Sequence, residues 1–131
     1  GADWDIEVLE MHHNKKVDAP SGTAWALVEQ AAQGLGDAPG SGRERAMSVR
    51  DGQVGARPDG AIGVQSLRGG DVVGEHTVFL VGPGERLELT HRSWDRTTFA
   101  RGGLRAARWL AQEGRAAGLY SMADVLAPSQ P

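Results

Sequence analysis

The hydrophobic and polar positions change period early in the chain. Between Trp4 and His12 the apolar residues recur at every second position, which predicts a β-strand with Trp4, Ile6, Val8, Glu10 and His12 on one side. From Ser21 onward the spacing becomes helical, and the apolar stripe consists of Ala24, Leu27, Val28, Ala31, Ala32 and Leu35. Ser21 is a good N-cap after a proline, and Gly36 is a plausible end of this helix.

The rest of the chain predicts three more strands and a second helix. Residues 36–60 hold many glycines and prolines and predict an irregular loop with a short strand near Met47–Arg50. Turn signals at Gly69-Gly70 and Gly82-Pro83-Gly84 separate the predicted strands Ala61–Arg68, Val72–Val81 and Glu85–Ser93. A helix over Thr97–Glu113 follows, with an apolar face of Phe99, Gly103, Ala106, Ala107 and Leu110.

This order of elements predicts an α+β fold. We expect a mixed, largely antiparallel sheet of about four strands, together with two main helices. The 131 residues are enough for one hydrophobic core. They show no internal repeat.

Composition narrows the class of protein. Hydrophobic residues make up 40% of the chain and charged residues 24%, as in soluble globular proteins. A net charge of −3 without a basic stripe argues against binding to nucleic acid. No apolar run approaches the ~20 residues of a membrane span, and the first residues do not have the pattern of a signal peptide. The lack of cysteine excludes thiolate chemistry and fits a reducing cytosol, so we expect a cytoplasmic protein.

The most informative stretch is the predicted loop between the first strand and the first helix. His12 and His13 supply imidazoles that titrate near neutral pH, and Lys15 and Lys16 supply positive charge. The helix start at Gly22 offers backbone N–H groups that suit phosphate or carboxylate. Each of these features alone is common on protein surfaces. Together they predict a site that binds a small anion and exchanges a proton with it.

Three motifs resemble the 4-hydroxy-tetrahydrodipicolinate reductase family, also called the dihydrodipicolinate reductases. The main one is the run Glu-Met-His-His-Asn-Lys-Lys-Val-Asp-Ala-Pro-Ser-Gly-Thr-Ala over Glu10–Ala24. The second is Arg-Gly-Gly-Asp-Val-Val-Gly-Glu-His over Arg68–His76, and the third begins at Glu85 and includes His91, Phe99 and Trp109. The resemblance extends over nearly the whole chain.

The resemblance implies a function for the loop. Members of this family use NADH or NADPH to reduce a cyclic unsaturated dicarboxylate on the diaminopimelate route to lysine. It implies that His12 is a proton donor or acceptor and that Lys16 is a second proton donor. By the same resemblance, the substrate carboxylates are bound by His13, Ser21, Gly22 and Thr23.

One departure from the family pattern affects what the chain can do alone. Family members begin with a Rossmann domain, whose glycine-rich turn binds the dinucleotide, and the sequence here has no such element. We therefore expect residues 1–113 to be a substrate-binding and oligomerisation domain and residues 114–131 to be a tail that packs on an absent half. We also expect the isolated chain to be inactive. The resemblance further implies a homo-oligomer, a tetramer in the family.

Three alternatives stay open at this point. The chain could be a non-catalytic anion-binding or assembly module with the same fold. A metal site of Glu10, His12, His76 and His91 is disfavoured, because no cysteine is available and the sequence does not fix the pairing of the later strands, so we expect no metal. Ser21 as a nucleophile is disfavoured because no nucleophile-elbow pattern surrounds it.

Overall fold

The structure is a computed structural model that describes residues 3–127. The chain divides into two compact units, Gly1–Trp94 and Asp95–Pro131. This division follows the packing of the chain. The predicted assignment of functions to residues 1–113 and 114–131 stays a prediction.

The first unit holds all the strands. Its elements in chain order are β1 (Asp5–His12), α1 (Gly22–Gly34), α2 (Gly42–Arg45), β2 (Ala46–Met47), β3 (Ile62–Arg68), β4 (Gly74–Gly82) and β5 (Glu85–Ser93). The strands form one sheet in the order β2-β3-β1-β4-β5. The predicted first helix begins one residue after its expected cap, and Glu85–Ser93 matches its predicted bounds.

The predicted α+β fold with a mixed sheet is confirmed. The sheet is evenly mixed, because β1 and β2 both pair with β3 in parallel, whereas β4 pairs antiparallel with β1 and β5. It has five strands where about four were expected, since the short strand predicted near Met47 forms as β2. The parallel pairing places the ends of β1 and β3 at the same edge of the sheet.

The core lies between α1 and one face of the sheet. Alternate residues of β1 and β3 pack against the face of α1 that carries small side chains. The buried residues of this core are Ile6, Val8, Ala24, Val28, Ala32, Ile62 and Val64. Alanines at two of the three helix positions let α1 approach the sheet closely. Burying each larger aliphatic side chain stabilises the fold by roughly 1.5–3 kcal/mol.

The same sheet face becomes polar toward the ends of β1 and β3. Along β1 the buried residues run Ile6, Val8 and then Glu10, and Glu10 is paired across the sheet with His76 of β4. Both polar side chains are buried beside Ser21, which precedes α1. Strand and helix therefore deliver charged and hydrogen-bonding groups to one end of the core.

Two arginines fasten the long loop between β2 and β3 to the opposite face of the sheet. Arg50 binds both carboxylate oxygens of Glu7, at 2.7 and 3.0 Å, and Arg57 binds Glu7, Asp5 and the carbonyl oxygen of Ile6. Gly63 lies directly beneath this cluster, because a Cβ there would come within 1.7 Å of Glu7 Oε2.

The second unit contains α3 (Thr97–Leu110) and α4 (Met122–Leu126). The Trp109 and Tyr120 rings meet edge to face at 5.0 Å, and the Arg115 guanidinium lies 3.2 Å from the centre of the Trp109 ring. The predicted helix ends three residues earlier than expected. None of its described residues is buried, and the large apolar side chains of Phe99, Leu104 and Leu110 are exposed.

No helix among residues 3–127 combines the length and the apolar character that crossing a membrane requires.

Candidate active site

The candidate site lies where β1 and β3 end and α1 begins. In sheets with parallel strands, ligands commonly bind at the carboxyl ends of those strands. Ser21 caps α1, because its hydroxyl accepts a hydrogen bond of 3.2 Å from the backbone N–H of Ala24. The loop between β1 and α1 carries the histidines and lysines that the sequence singled out.

Glu10 is the centre of the site. Its side chain is fully buried, and Arg68 binds both carboxylate oxygens at 2.8 and 2.9 Å. Oε1 also accepts the backbone N–H of Ser21 at 3.3 Å, and Oε2 lies 2.5 Å from Nδ1 of His12. Burial alone would raise the pKa of Glu10, but the side chains of Arg68, Ser66 and His12 lower it to about 2. Glu10 is therefore ionised at every physiological pH.

His12 has one nitrogen bound and one available. Nδ1 is directed at Glu10, whereas Nε2 lies beside Gly74 of β4. A Cβ on Gly74 would stand only 3.1 Å from Nε2. The absence of a side chain at Gly74 therefore leaves space around the second nitrogen of His12, as a group that exchanges a proton requires.

His76 closes the inner side of the site. Its Nε2 lies 3.1 Å from the Ser21 hydroxyl, and its ring meets the His12 ring edge to face at 5.2 Å. Burial lowers the pKa of His76, and the neighbouring charge on His12 acts in the same direction. We conclude that His76 is neutral at neutral pH and serves as a hydrogen-bonding wall of the site.

Lys16 and His13 lie along the loop. The Lys16 ammonium binds both carboxylate oxygens of Asp18, at 2.7 and 2.9 Å, and this hydrogen bond lowers the pKa of Asp18. Arg68 holds the same stretch by donating to the carbonyl oxygen of Asp18. His13 is half-buried, and its carbonyl oxygen accepts the backbone N–H of Lys16. These hydrogen bonds hold the loop, and the Lys16–Asp18 ion pair lies at its surface.

The start of α1 is open to a ligand. Gly22 and Thr23 are the first two residues of the helix and are both exposed. Apart from its chain neighbours and the backbone of its own helix, no described atom lies within 4 Å of the position that a Cβ on Gly22 would take. Backbone N–H groups of a first helical turn lack partners inside the helix and carry the positive end of its dipole. An anionic group can approach them closely.

Glu10, His12 and His76 could also hold a metal ion by distance alone. One ligand atom from each lies within 4.8 Å of the others. However, both oxygens of Glu10 already accept hydrogen bonds from Arg68, whose positive charge opposes a cation at the same carboxylate. His91 faces His76 on β5 but is exposed and does not belong to this group. The expected absence of a metal stays a prediction.

Several residues of the site were not assigned roles from the sequence. Glu10 binds both His12 on its own strand and Arg68 on β3, 58 positions further along the chain, and the parallel pairing of β1 and β3 brings Glu10 and Arg68 together. Ser21 was assigned to substrate binding, but its hydroxyl is occupied by Ala24 and His76. That assignment, like those of His12, His13, Lys16, Gly22 and Thr23, stays a prediction.

Comparisons with known proteins agree on one family. Residues 1–126 match the family described as dihydrodipicolinate reductase, C-terminus. The chain is 59% identical over 126 residues to the 4-hydroxy-tetrahydrodipicolinate reductase of Myxococcus xanthus and 58% identical over 127 residues to that of Methylocella silvestris. These alignments cover 96% of the chain and 44% of each relative, so the chain spans less than half the length of the curated relatives it matches.

A solved structure has a similar fold. Dipicolinate-bound dihydrodipicolinate reductase from Paenisporosarcina sp. TG-14 superposes with a TM-score of 0.59 at 29% sequence identity. The similarity covers 81% of the present chain and 39% of that one.

Proposed function

Because the chain belongs to the family of dihydrodipicolinate reductase C-terminal domains, we propose that it is the substrate-binding and catalytic part of a 4-hydroxy-tetrahydrodipicolinate reductase. The observation that carries this proposal is the juxtaposition of His12, hydrogen-bonded to Glu10, with the open start of α1. Binding and protonating a cyclic dicarboxylate require an anion-binding surface and a proton-transferring group at the same place. A similar protein was solved with dipicolinate bound, which supports a small dicarboxylate as the ligand.

The roles divide among the loop residues. The N–H groups of Gly22 and Thr23 bind one carboxylate, and His13 contributes to carboxylate binding from the loop. Lys16 adds positive charge and serves as a second proton donor once the substrate competes with Asp18 for its ammonium. His12 exchanges a proton with the substrate through Nε2. Ser21 contributes mainly by capping α1, which keeps the helix start in place.

The hydride comes from NADPH or NADH in this proposal. The residues of this chain do not fit a dinucleotide, since none of its described strands runs through a glycine-rich turn into a helix as a Rossmann site requires. We therefore assign the cofactor to a dinucleotide-binding domain outside these 131 residues. The chain alone binds substrate without reducing it.

Dipicolinate binding to the chain tests the proposal, with two adjacent lysines as a matched pair. We expect calorimetry to detect binding, and Lys16→Ala to weaken it by about tenfold, the worth of a single charged contact. Lys15→Ala is the control, because Lys15 is exposed and its loss should change affinity by less than about twofold. Equal effects of the two substitutions, or no binding by the unmodified chain, would contradict the proposal.

A second measurement separates an enzyme from a non-catalytic module of the same fold. We expect no cofactor oxidation from the chain with substrate and NADPH, and steady oxidation when the chain is joined to a dinucleotide-binding domain of the family. His12→Ala in the joined form should reduce turnover by about a hundredfold or more while substrate affinity changes little. The module alternative expects no turnover with either form.

We also propose a homo-tetramer in the cytoplasm, as the family resemblance implies. The sheet face that α1 leaves uncovered carries apolar side chains suited to an interface, among them Leu9, Leu67, Phe79 and Val81. Leu67 and Val81 are exposed and Leu9 and Phe79 partly so, and apolar patches that reach solvent commonly mark contact sites between proteins.

A further inference from the structure

Every acceptor position of the Glu10 carboxylate has a partner in the structure. Arg68 takes both oxygens, Ser21 adds its backbone N–H to one, and His12 adds Nδ1 to the other. The partners come from β1, β3 and the start of α1, so the carboxylate joins three elements of the fold at the polar end of the core. Nothing in the proposed division of roles uses Glu10.

We propose that Glu10, clamped by Arg68, is a positioning residue that keeps a proton on Nδ1 of His12 and makes Nε2 the atom that transfers a proton. The proton-transfer part of this inference rests on the proposed function. The tautomer part concerns the folded protein alone and does not depend on any substrate.

The chemistry of the pair fixes the direction of the hydrogen bond. An ionised carboxylate can only accept, so Nδ1 of His12 must donate across the 2.5 Å separation from Oε2. Neutral His12 then carries its proton on Nδ1, and the imidazolium differs from it only by a proton on Nε2. When His12 acts as an acid, the N–H bond at Nε2 breaks, its electron pair stays on nitrogen, and the proton forms a new bond to the substrate.

Arg68 keeps Glu10 in the form that this role requires. A buried carboxyl without a partner favours its neutral state, which could donate a hydrogen bond as well as accept one. The two bonds from Arg68 remove that ambiguity and also fix the plane of the carboxylate. Gly74 completes the arrangement, because the space beside Nε2 stays free of a side chain.

Nitrogen NMR of the His12 imidazole tests the tautomer. In water a free neutral imidazole favours the proton on Nε2, so a neutral His12 with its proton on Nδ1 is a signature of the Glu10 contact. We expect that signature in the unmodified chain at alkaline pH and its loss in Glu10→Gln, whose amide can donate to Nδ1. Protonation of Nε2 in the neutral ring of the unmodified chain would overturn the inference, even if the variant fails to fold.

Glu29→Gln is the matched control. Glu29 is also a carboxylate with several donors, the backbone N–H groups of Gly40 and Gly42 and the side chain of Gln33, but it touches no imidazole. We expect the His12 signals of Glu29→Gln to equal those of the unmodified chain. If Glu10→Gln also left them unchanged, Glu10 would not set the tautomer.

Turnover distinguishes positioning from a structural role. In the form joined to a dinucleotide-binding domain, Glu10→Gln should lower kcat by about ten- to a hundredfold, while dipicolinate affinity changes by less than about threefold. Equal losses in kcat and affinity would mean that Glu10 merely holds the loop, and would overturn the inference. Absence of dipicolinate binding in the unmodified chain would instead contradict the proposed function and leave the tautomer result valid.

Discussion

Gly74 differs from the other glycines of the sheet because it leaves space beside Nε2 of His12. It adopts an ordinary backbone conformation, so the chain needs a glycine there for room and not for a left-handed φ angle. A methyl group would contact Nε2 at 3.1 Å and the His76 ring at 3.9 Å. The requirement is therefore local to the proposed proton-transfer atom.

Gly74→Ala should impair chemistry more than folding. We expect turnover of the joined form to fall by about tenfold, because the methyl group crowds Nε2, and stability to change by about 1 kcal/mol. Gly34→Ala is the control, since no described atom outside its chain neighbours and its own helix backbone lies within 4 Å of its Cβ position and alanine favours a helix. Kinetics and urea unfolding of both variants measure the difference. Unchanged turnover in Gly74→Ala would show that this space is unused.

Acid should destabilise the protein in two stages. The lowered pKa of His76 means that the unfolded chain takes up a proton that the folded chain resists, so stability falls as pH drops below about 6.5. The lowered pKa of Glu10 contributes stability above its unfolded value near 4.5, and this contribution, about 3 kcal/mol, is lost as pH falls toward 2.

Urea unfolding across this pH range measures both stages. His76→Asn should remove the decline that begins as pH drops below about 6.5, the ordinary histidine value, while keeping the lower stage. His91→Asn is the control, because His91 lies directly across from His76 on β5 but is exposed. A pH dependence that His76→Asn leaves intact would assign the upper stage to another group.

Among the elements, β3 shows best which features of the fold the sequence alone predicts and which it does not. The strand itself was predicted within one residue at Ala61–Arg68, because its alternation and its turn signals are local. Its parallel position beside β1 was not, since residues 13–61 separate the two strands and periodicity carries no information about neighbours. The roles of Glu10 and Arg68 depend on that pairing. The loop motif could be predicted, but the ion pair beneath it could not.

Gly63 of β3 should be intolerant of any side chain. A Cβ there overlaps Glu7, so Gly63→Ala must displace the carboxylate that holds Arg50 and Arg57. We expect a loss of about 1–3 kcal/mol in unfolding free energy, as for other overpacked sites, together with faster proteolysis of the loop that these arginines anchor. Glu7→Gln should release the loop with a smaller loss, because it removes charge without adding volume.

At the scale of the whole molecule, we expect one face of the sheet to take part in assembly and the other not to. Leu67 of β3 and Leu87 of β5 are about equally exposed, at 48% and 51%, but Leu87 lies on the α1 side and Leu67 on the uncovered side. We expect light scattering to show oligomers of the unmodified chain, and Leu67→Glu to reduce their size. Leu87→Glu should have little effect. A monomeric unmodified chain at micromolar concentration would contradict the proposed assembly.

The three-way contact at Glu10 has a consequence for biogenesis. Its donors belong to residues 12, 21 and 68, so the contact cannot form until Arg68 has been brought beside Glu10, 58 positions earlier in the chain. Contacts of such long sequence separation form late, after the entropy of the intervening loop has been lost. Nascent and partly folded chains would therefore not bind dicarboxylates. A ligand that binds only the completed site would stabilise the folded state and so act as a pharmacological chaperone.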